Sequence, residues 1–124
     1  MAANPLDDVY RRLRHVMLDA APGLAVVRDE PGTLLLKTHW MEARTNEAAW
    51  FGWIAIKKSF VSYHLMPLYH LPELEAFVPE ALGPRRQGKT CFNFKRIDEA
   101  LFAEVEGLTE RAGAMQDALK AKIG

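Results

Sequence analysis

Residues 49–66 read AWFGWIAIKKSFVSYHLM, and the way this stretch folds back on itself decides which side chains face a core and which face outward. Apolar, aromatic and β-branched residues alternate on both sides of Lys57-Lys58, which predicts a β-hairpin. An even turn centred on the two lysines pairs Ile56 with Ser59, Ile54 with Val61, Gly52 with Tyr63 and Trp50 with Leu65. Trp50, Ile54, Ile56, Val61, Tyr63 and Leu65 then share the expected core face, and the aromatic opposite Gly52 covers the bare backbone there. The reverse face carries Phe51, Trp53, Ala55, Phe60, Ser62 and His64, too aromatic for open water and too polar for a sealed core. A three-residue turn would place Ser62 and His64 among the isoleucines, so the even register is preferred.

Outward from the hairpin, the chain alternates between helical and strand-like patterns. Asn4 is placed to cap a first helix with Pro5 at its first position. Leu6, Val9, Leu13, Val16, Met17 and Ala20 form one stripe, and Asp7–Arg11 and Asp8–Arg12 are spaced as i,i+4 pairs. LAVVR (24–28) and TLLLKTHW (33–40) read as strands joined by a turn at Pro31-Gly32, with residues 41–48 as a loop. Pro79 interrupts short helical turns over 72–82, and KTCFNF (89–94) is a strand. Asp98 caps a last helix whose stripe runs Leu101, Val105, Leu108, Ala112, Met115, Leu119, with Gly107 and Gly113 as expected breaks. The sum is an α+β domain spanning 1–124. It has a small antiparallel sheet of about five strands, two hairpins plus one strand, with N-terminal and C-terminal helices packed on it.

GPRRQGKT (83–90) matches the phosphate-loop pattern G-x-x-x-x-G-K-[ST] in its letters. Such a loop works by joining a buried strand to a helix N-terminus, whose N–H groups surround the phosphates. Here a helical, proline-containing segment precedes Gly83 and an aromatic, alternating segment follows Thr90. The order is reversed, Pro84 removes a donor, and no apolar run ending in Asp is present to hold magnesium. The match is read as false, and no catalytic residue set emerges from it.

The 124 residues carry 16 basic and 16 acidic side chains, a net charge of zero, with 49% hydrophobic residues. A chain of that length and composition is expected to form a soluble globular domain. Neutrality argues against nucleic acid as a partner, since no overall basic field draws a polyanion. Cys91 is the single cysteine, and the N-terminal residues mix acids and bases without the apolar run of a signal peptide, so a cytoplasmic location and no membrane association are expected.

KKSFVSYHLMPLY (57–69), QGKTCFNF (87–94) and IDEALFAEVEGLTE (97–110), in this order, resemble the YdhG-like family of small bacterial domains of unknown function. SYHLMPLY and QGK-x-CF-x-F are the most specific pieces, and the resemblance covers roughly residues 50 to 110. It implies an α+β fold with a small antiparallel sheet and flanking helices, and no established reaction. Some members are labelled intracellular iron chaperones by analogy with frataxin, which makes a metal-handling role the alternative reading.

Iron is a hard cation served by clustered carboxylates. Glu99, Glu106 and Glu110 share one side of the last helix, a pattern that equally describes a solvated face. His39, His64, His70 and Cys91 lack the short paired spacing of a zinc site, so neither a metal site nor a cofactor is assigned. A nucleophilic Cys91 would need a lowered pKa, with His64 as base, and no complete constellation supports that chemistry. The basic residues Lys57, Lys58, Arg85, Arg86, Lys89, Lys95 and Arg96 fall at strand ends and loops. The candidate ligand-binding surface is therefore the mixed hairpin face: Trp53, Ser62, His64, Cys91 and Asn93, rimmed by Lys89 and Lys95. Its expected role is noncatalytic, holding a small molecule or anion, with self-association through the same aromatic patch as a competing use.

Overall fold

A computed structural model describes residues 4–124; Met1, Ala2 and Ala3, the first letters of the expected amphipathic segment, lie outside the described residues. Helix α1 (Pro5–Ala20) starts where the Asn4 side chain accepts from the Leu6 N–H at 2.9 Å. Its apolar stripe is buried, joined by Tyr10. Strands β1 (Ala25–Glu30), β2 (Thr33–Glu42), β3 (Glu47–Ile56), β4 (Val61–Leu65), β5 (Arg86–Gln87) and β6 (Cys91–Phe94) form one antiparallel sheet in the order β1-β2-β3-β4-β6-β5. After β4 come the single turn α2 (Pro67–His70) and two 3-10 turns, Pro72–Phe77 and Glu80–Arg85, on either side of Pro79. Helices α3 (Glu99–Ala114) and α4 (Gln116–Ile123) close the chain. The fold is α+β, with a six-stranded sheet rather than five, because β5 is drawn from GPRRQGKT itself.

α1 and α3 pack together on one face of the sheet and share its core. Val61, Tyr63, Leu65, Phe92 and Phe94 point into it, as do Leu34, Leu36 and Ile54. Phe94 meets Phe102 edge-on with ring centroids 5.2 Å apart. Tyr63 Oη lies 2.6 Å from Thr109 Oγ1, which donates to the Val105 carbonyl, so the phenol is left to donate to Thr109. Burial pushes the Tyr63 phenol far above its usual range.

Several sequence expectations are corrected. The β3–β4 pairs are Ile56–Val61, Ile54–Tyr63 and Gly52–Leu65, two residues away from the even turn on Lys57-Lys58. The loop takes four residues, 57–60, closed by Lys57 N–H on the Phe60 carbonyl at 2.8 Å. Two lysines are poor at the left-handed conformations that a two-residue turn demands. A slip of two preserves every face, so His64 still points away from Tyr63. A β-bulge changes the rest of β3: Leu36 pairs with Gly52 and Lys37 with Trp50, leaving Phe51 as the extra residue. Phe51 is therefore fully buried in the core and Trp50 is 40% exposed, the reverse of the expected assignment.

The loop expected over 41–48 is confined to the turn 43–46, because β2 runs on to Glu42 and β3 begins at Glu47. A second irregularity in β2 is closed by Thr38, whose hydroxyl accepts from Ala49 N–H at 3.2 Å and donates to the Trp40 carbonyl at 2.8 Å. Neither Gly107 nor Gly113 breaks α3, and the helices separate at Met115. Arg11 pairs with Asp8 rather than Asp7. Arg12 crosses to Glu99 of α3, Nε to Oε2 at 2.9 Å, because that tie between packed helices is open to it and Asp8 is taken.

Gly52 sits where only hydrogen fits. An added Cβ would lie 2.7 Å from the His64 carbonyl oxygen and 2.9 Å from Met17 Cε of α1. The position is covered by the helix above it and not by a cross-strand aromatic. Gly52→Ala is expected to destabilise the protein by about 2 kcal/mol or more, as over-packing of a close backbone approach does, measured as a fall in the urea midpoint. An unchanged midpoint would mean that α1 does not press on the bulge.

Candidate functional site

The sheet face opposite α1 and α3 is the mixed face anticipated from the hairpin, and pairing across the strands places its residues in rows. One row runs Arg28, Leu35, Trp53, His64, Cys91, Gln87 through all six strands; the next runs Thr33, Ala55, Ser62, Asn93. Leu35, Trp53, His64, Cys91 and Asn93 are half-buried, neither sealed by a helical layer nor free in water.

At one end the face is aromatic. Trp53 and His64 stack with ring centroids 4.4 Å apart and planes 18° apart. The bulge brings Trp50 beside Trp53, edge to face at 5.7 Å, and Lys37 Nζ lies 4.2 Å over the Trp50 ring. Leu35, Trp50 and Trp53 line a shallow, open depression of about 320 Å³. The sequence pattern assigns Trp50 to the core face and gives Leu35 no place among the candidate site residues. The bulge that exposes Trp50 has no signature beyond a glycine between aromatics, and Leu35 lay inside a run of three leucines whose parity was not assigned.

At the other end the face is polar and cationic. Cys91 Sγ donates to Asn93 Oδ1 at 3.2 Å, and Asn93 Nδ2 donates to Gln87 Oε1 at 2.9 Å. Asn93 and Gln87 then line a second cavity of about 330 Å³ with Phe60, Pro84, Arg85, Arg86 and Lys95. Arg86 is committed, since its guanidinium grips Glu75 (Nη2 to Oε1 2.7 Å) and holds that carboxyl below its usual range. Arg85 and Lys95 form no ion pair among the described residues.

The remaining sequence candidates disperse. Ser62 is buried within its row, with its hydroxyl 3.4 Å from the Ala55 carbonyl. Lys89 stands at the opposite end of β6 from Lys95, its ammonium 5.9 Å from the Tyr69 ring. His39 bonds the Gly23 carbonyl at 2.7 Å, and His70 borders a separate cavity with Glu42 and Arg44. Among the described residues no three His, Cys, Asp or Glu side chains gather as a metal site would require. GPRRQGKT forms a 3-10 turn, β5 and the β5–β6 turn with Gly88 at φ +68°, so no helix N-terminus follows it. No helix among the described residues is long and apolar enough to cross a membrane.

Electrostatics separate the two titratable groups from nucleophile chemistry. Burial pushes the Cys91 thiol up, with Lys57 and the Tyr63 backbone N–H only partly opposing. Burial pushes His64 below its ordinary value, and the Lys57 charge adds to it. His64 Nδ1 is buried without a hydrogen-bond partner, which an unprotonated nitrogen of the neutral ring tolerates better than an N–H would.

No family model matches the chain, and neither a curated protein nor a solved structure matches it.

Two outcomes follow at this site. Thiol labelling of the folded protein at neutral pH should be slower than that of a free cysteine and should accelerate only in the alkaline range; a fast neutral rate would show an activated thiolate. Because the folded His64 pKa lies below its unfolded value, the native state binds fewer protons. Its contribution is complete above about pH 6.5 and is lost as pH falls through the folded pKa. His64→Phe should therefore flatten the loss of urea-denaturation stability between about pH 7 and pH 5, leaving the part owed to His70, which burial also lowers. An identical pH slope in the variant would contradict this.

Proposed function

We propose that this protein is a noncatalytic small-ligand-binding domain whose working surface is the helix-free face of the sheet, in keeping with its resemblance to the YdhG-like domains. The observation that carries the reading is the aromatic depression formed by Leu35, Trp50 and Trp53 beside the Trp53–His64 stack. Ligand sites are concave and mostly apolar with a few polar groups alongside, and this depression grades into Cys91, Asn93 and Gln87 within the width of the sheet. A planar ring suits a shallow depression bordered by two indoles set edge to face, because it stacks on an indole with little loss of rotamer freedom. The protonated Cys91 thiol and the neutral His64 favour binding over covalent chemistry. A metal-handling role draws less support, since Glu99 and Glu75, two of the acids it would recruit, are held by Arg12 and Arg86.

The test is a fragment screen of planar aromatic compounds monitored by amide and indole NH shifts of the protein. Shifts are expected to concentrate at Leu35, Trp50, Trp53 and His64, and Trp50→Ala should weaken binding roughly tenfold, as loss of a stacked aromatic contact does. Shifts confined to the α1–α3 side would overturn the reading.

A further inference from the structure

The unoccupied cations of this face lie at one end of it, and their placement relative to the aromatic trough specifies what kind of ligand would use both. Lys57, Arg85 and Lys95 belong to three separate elements, the β3–β4 loop, the second 3-10 turn and the end of β6. None is in an ion pair among the described residues. Arg85 and Lys95 line the second cavity, which contains no acidic residue in its wall. Lys57 follows the last residue of β3 on the parity of Trp53 and Ala55, at the same end of the face as Phe60 and Lys95. At the aromatic end the cations are already engaged: Lys37 lies on the Trp50 ring and Arg28 is 3.9 Å from Glu30. Two acids border the cationic notch and both are engaged: Glu75 is held by Arg86, and Asp98, beside Arg85 and Lys95, caps α3 by accepting from the Leu101 N–H at 3.1 Å.

The two ends are continuous. Asn93 on β6 lies two strand spacings across and two residues along the sheet from Trp53 on β3, about 12 Å away. The groups between them are small or hydrogen-bonding: His64, Ser62, Cys91, and the amides of Asn93 and Gln87. Resting on the small-ligand reading above, we infer that the ligand is a nucleoside phosphate. Its base would lie in the Leu35–Trp50–Trp53 trough and its phosphates in the Arg85–Lys95 notch, with the sugar crossing the polar row between them. Arginine and lysine supply charge-assisted hydrogen bonds to phosphate oxygens there. The recognition is by side chains on a sheet face and owes nothing to backbone N–H groups, so it is unrelated to the phosphate-loop mode whose letters GPRRQGKT happens to satisfy. A single-stranded polynucleotide fits less well, because its evenly spaced charges call for free cations along the whole groove. Here they collect at one end.

Calorimetry with three probes separates the parts: adenosine carries only the ring, pyrophosphate only the anion, and ADP both. ADP should bind roughly tenfold or more tightly than either fragment. The Arg85→Ala/Lys95→Ala double variant, at two non-core positions and checked for an unchanged melting temperature, should cost ADP that same factor and leave adenosine unaffected. Trp53→Ala and Trp50→Ala should weaken ADP and adenosine alike. Equal affinity for adenosine and ADP, or an ADP affinity indifferent to the double variant, would overturn the inference while leaving the trough as a ring site. Absence of binding by adenosine and ADP, with NMR shifts at the trough from other planar rings, would reject the nucleotide and retain the ligand-binding reading; failure of both measurements would reject the two together. Tighter binding of a short single-stranded RNA than of ADP, lost in the double variant, would replace the small molecule by a nucleic-acid strand.

Discussion

The close approach of α1 to the bulge at Phe51–Gly52 is the contact on which the rest of this structure depends. Met17 descends onto a residue without a side chain, and the strand spends one extra residue there. Two consecutive positions, Phe51 and Gly52, thereby face the core, one filling it and the other admitting the helix. The same dislocation turns Trp50 outward. Core packing and the outer aromatic trough are in this sense two consequences of one local event, since alternation along a strand cannot be broken on one face only.

That event also explains why the helices gather on one side. α1 and α3 bury their stripes against the sheet and each other, tied at the surface by Arg12 and Glu99 and inside by Tyr63 and Thr109. The other side offers no continuous apolar field for a helix to cover, because Ser62, His64, Cys91 and Asn93 interrupt it. It offers instead rings at one end, amides in the middle and uncompensated charge at the other. An amphipathic ligand of the kind proposed would meet each of these in turn, beside a His64 whose pKa burial lowers and a Cys91 thiol whose pKa burial raises.

GPRRQGKT illustrates how little a matching string decides without its setting. Its glycines serve turns, with Gly88 left-handed in the β5–β6 hairpin. Arg86 is spent on Glu75 and on the Lys89 carbonyl, to which it donates twice. Arg85 reaches the cavity wall from the end of the 3-10 turn, and Gln87, bonded to Asn93, reaches it through β5, a pair of residues too short to register as a strand in any pattern reading.

Composition and periodicity alone determined the α+β class, the caps at Asn4 and Asp98, the strand pattern around Cys91–Phe94 and the side of the sheet to which His64 belongs. Each of these rests on short-range steric and hydrogen-bonding preferences that neighbouring residues express wherever the chain goes. Slippage of the hairpin by two left His64 in place because strand parity has a period of two. Contacts between distant segments decided the rest: the burial of Phe51 and exposure of Trp50, the escape of Arg12 to Glu99, the drafting of β5 into the sheet and the meeting of Arg85 with Lys95. A bulge is selected by what presses on the strand from another element, and an ion pair by which partner packing brings within reach. Neither quantity is carried by the residues in their own stretch of chain.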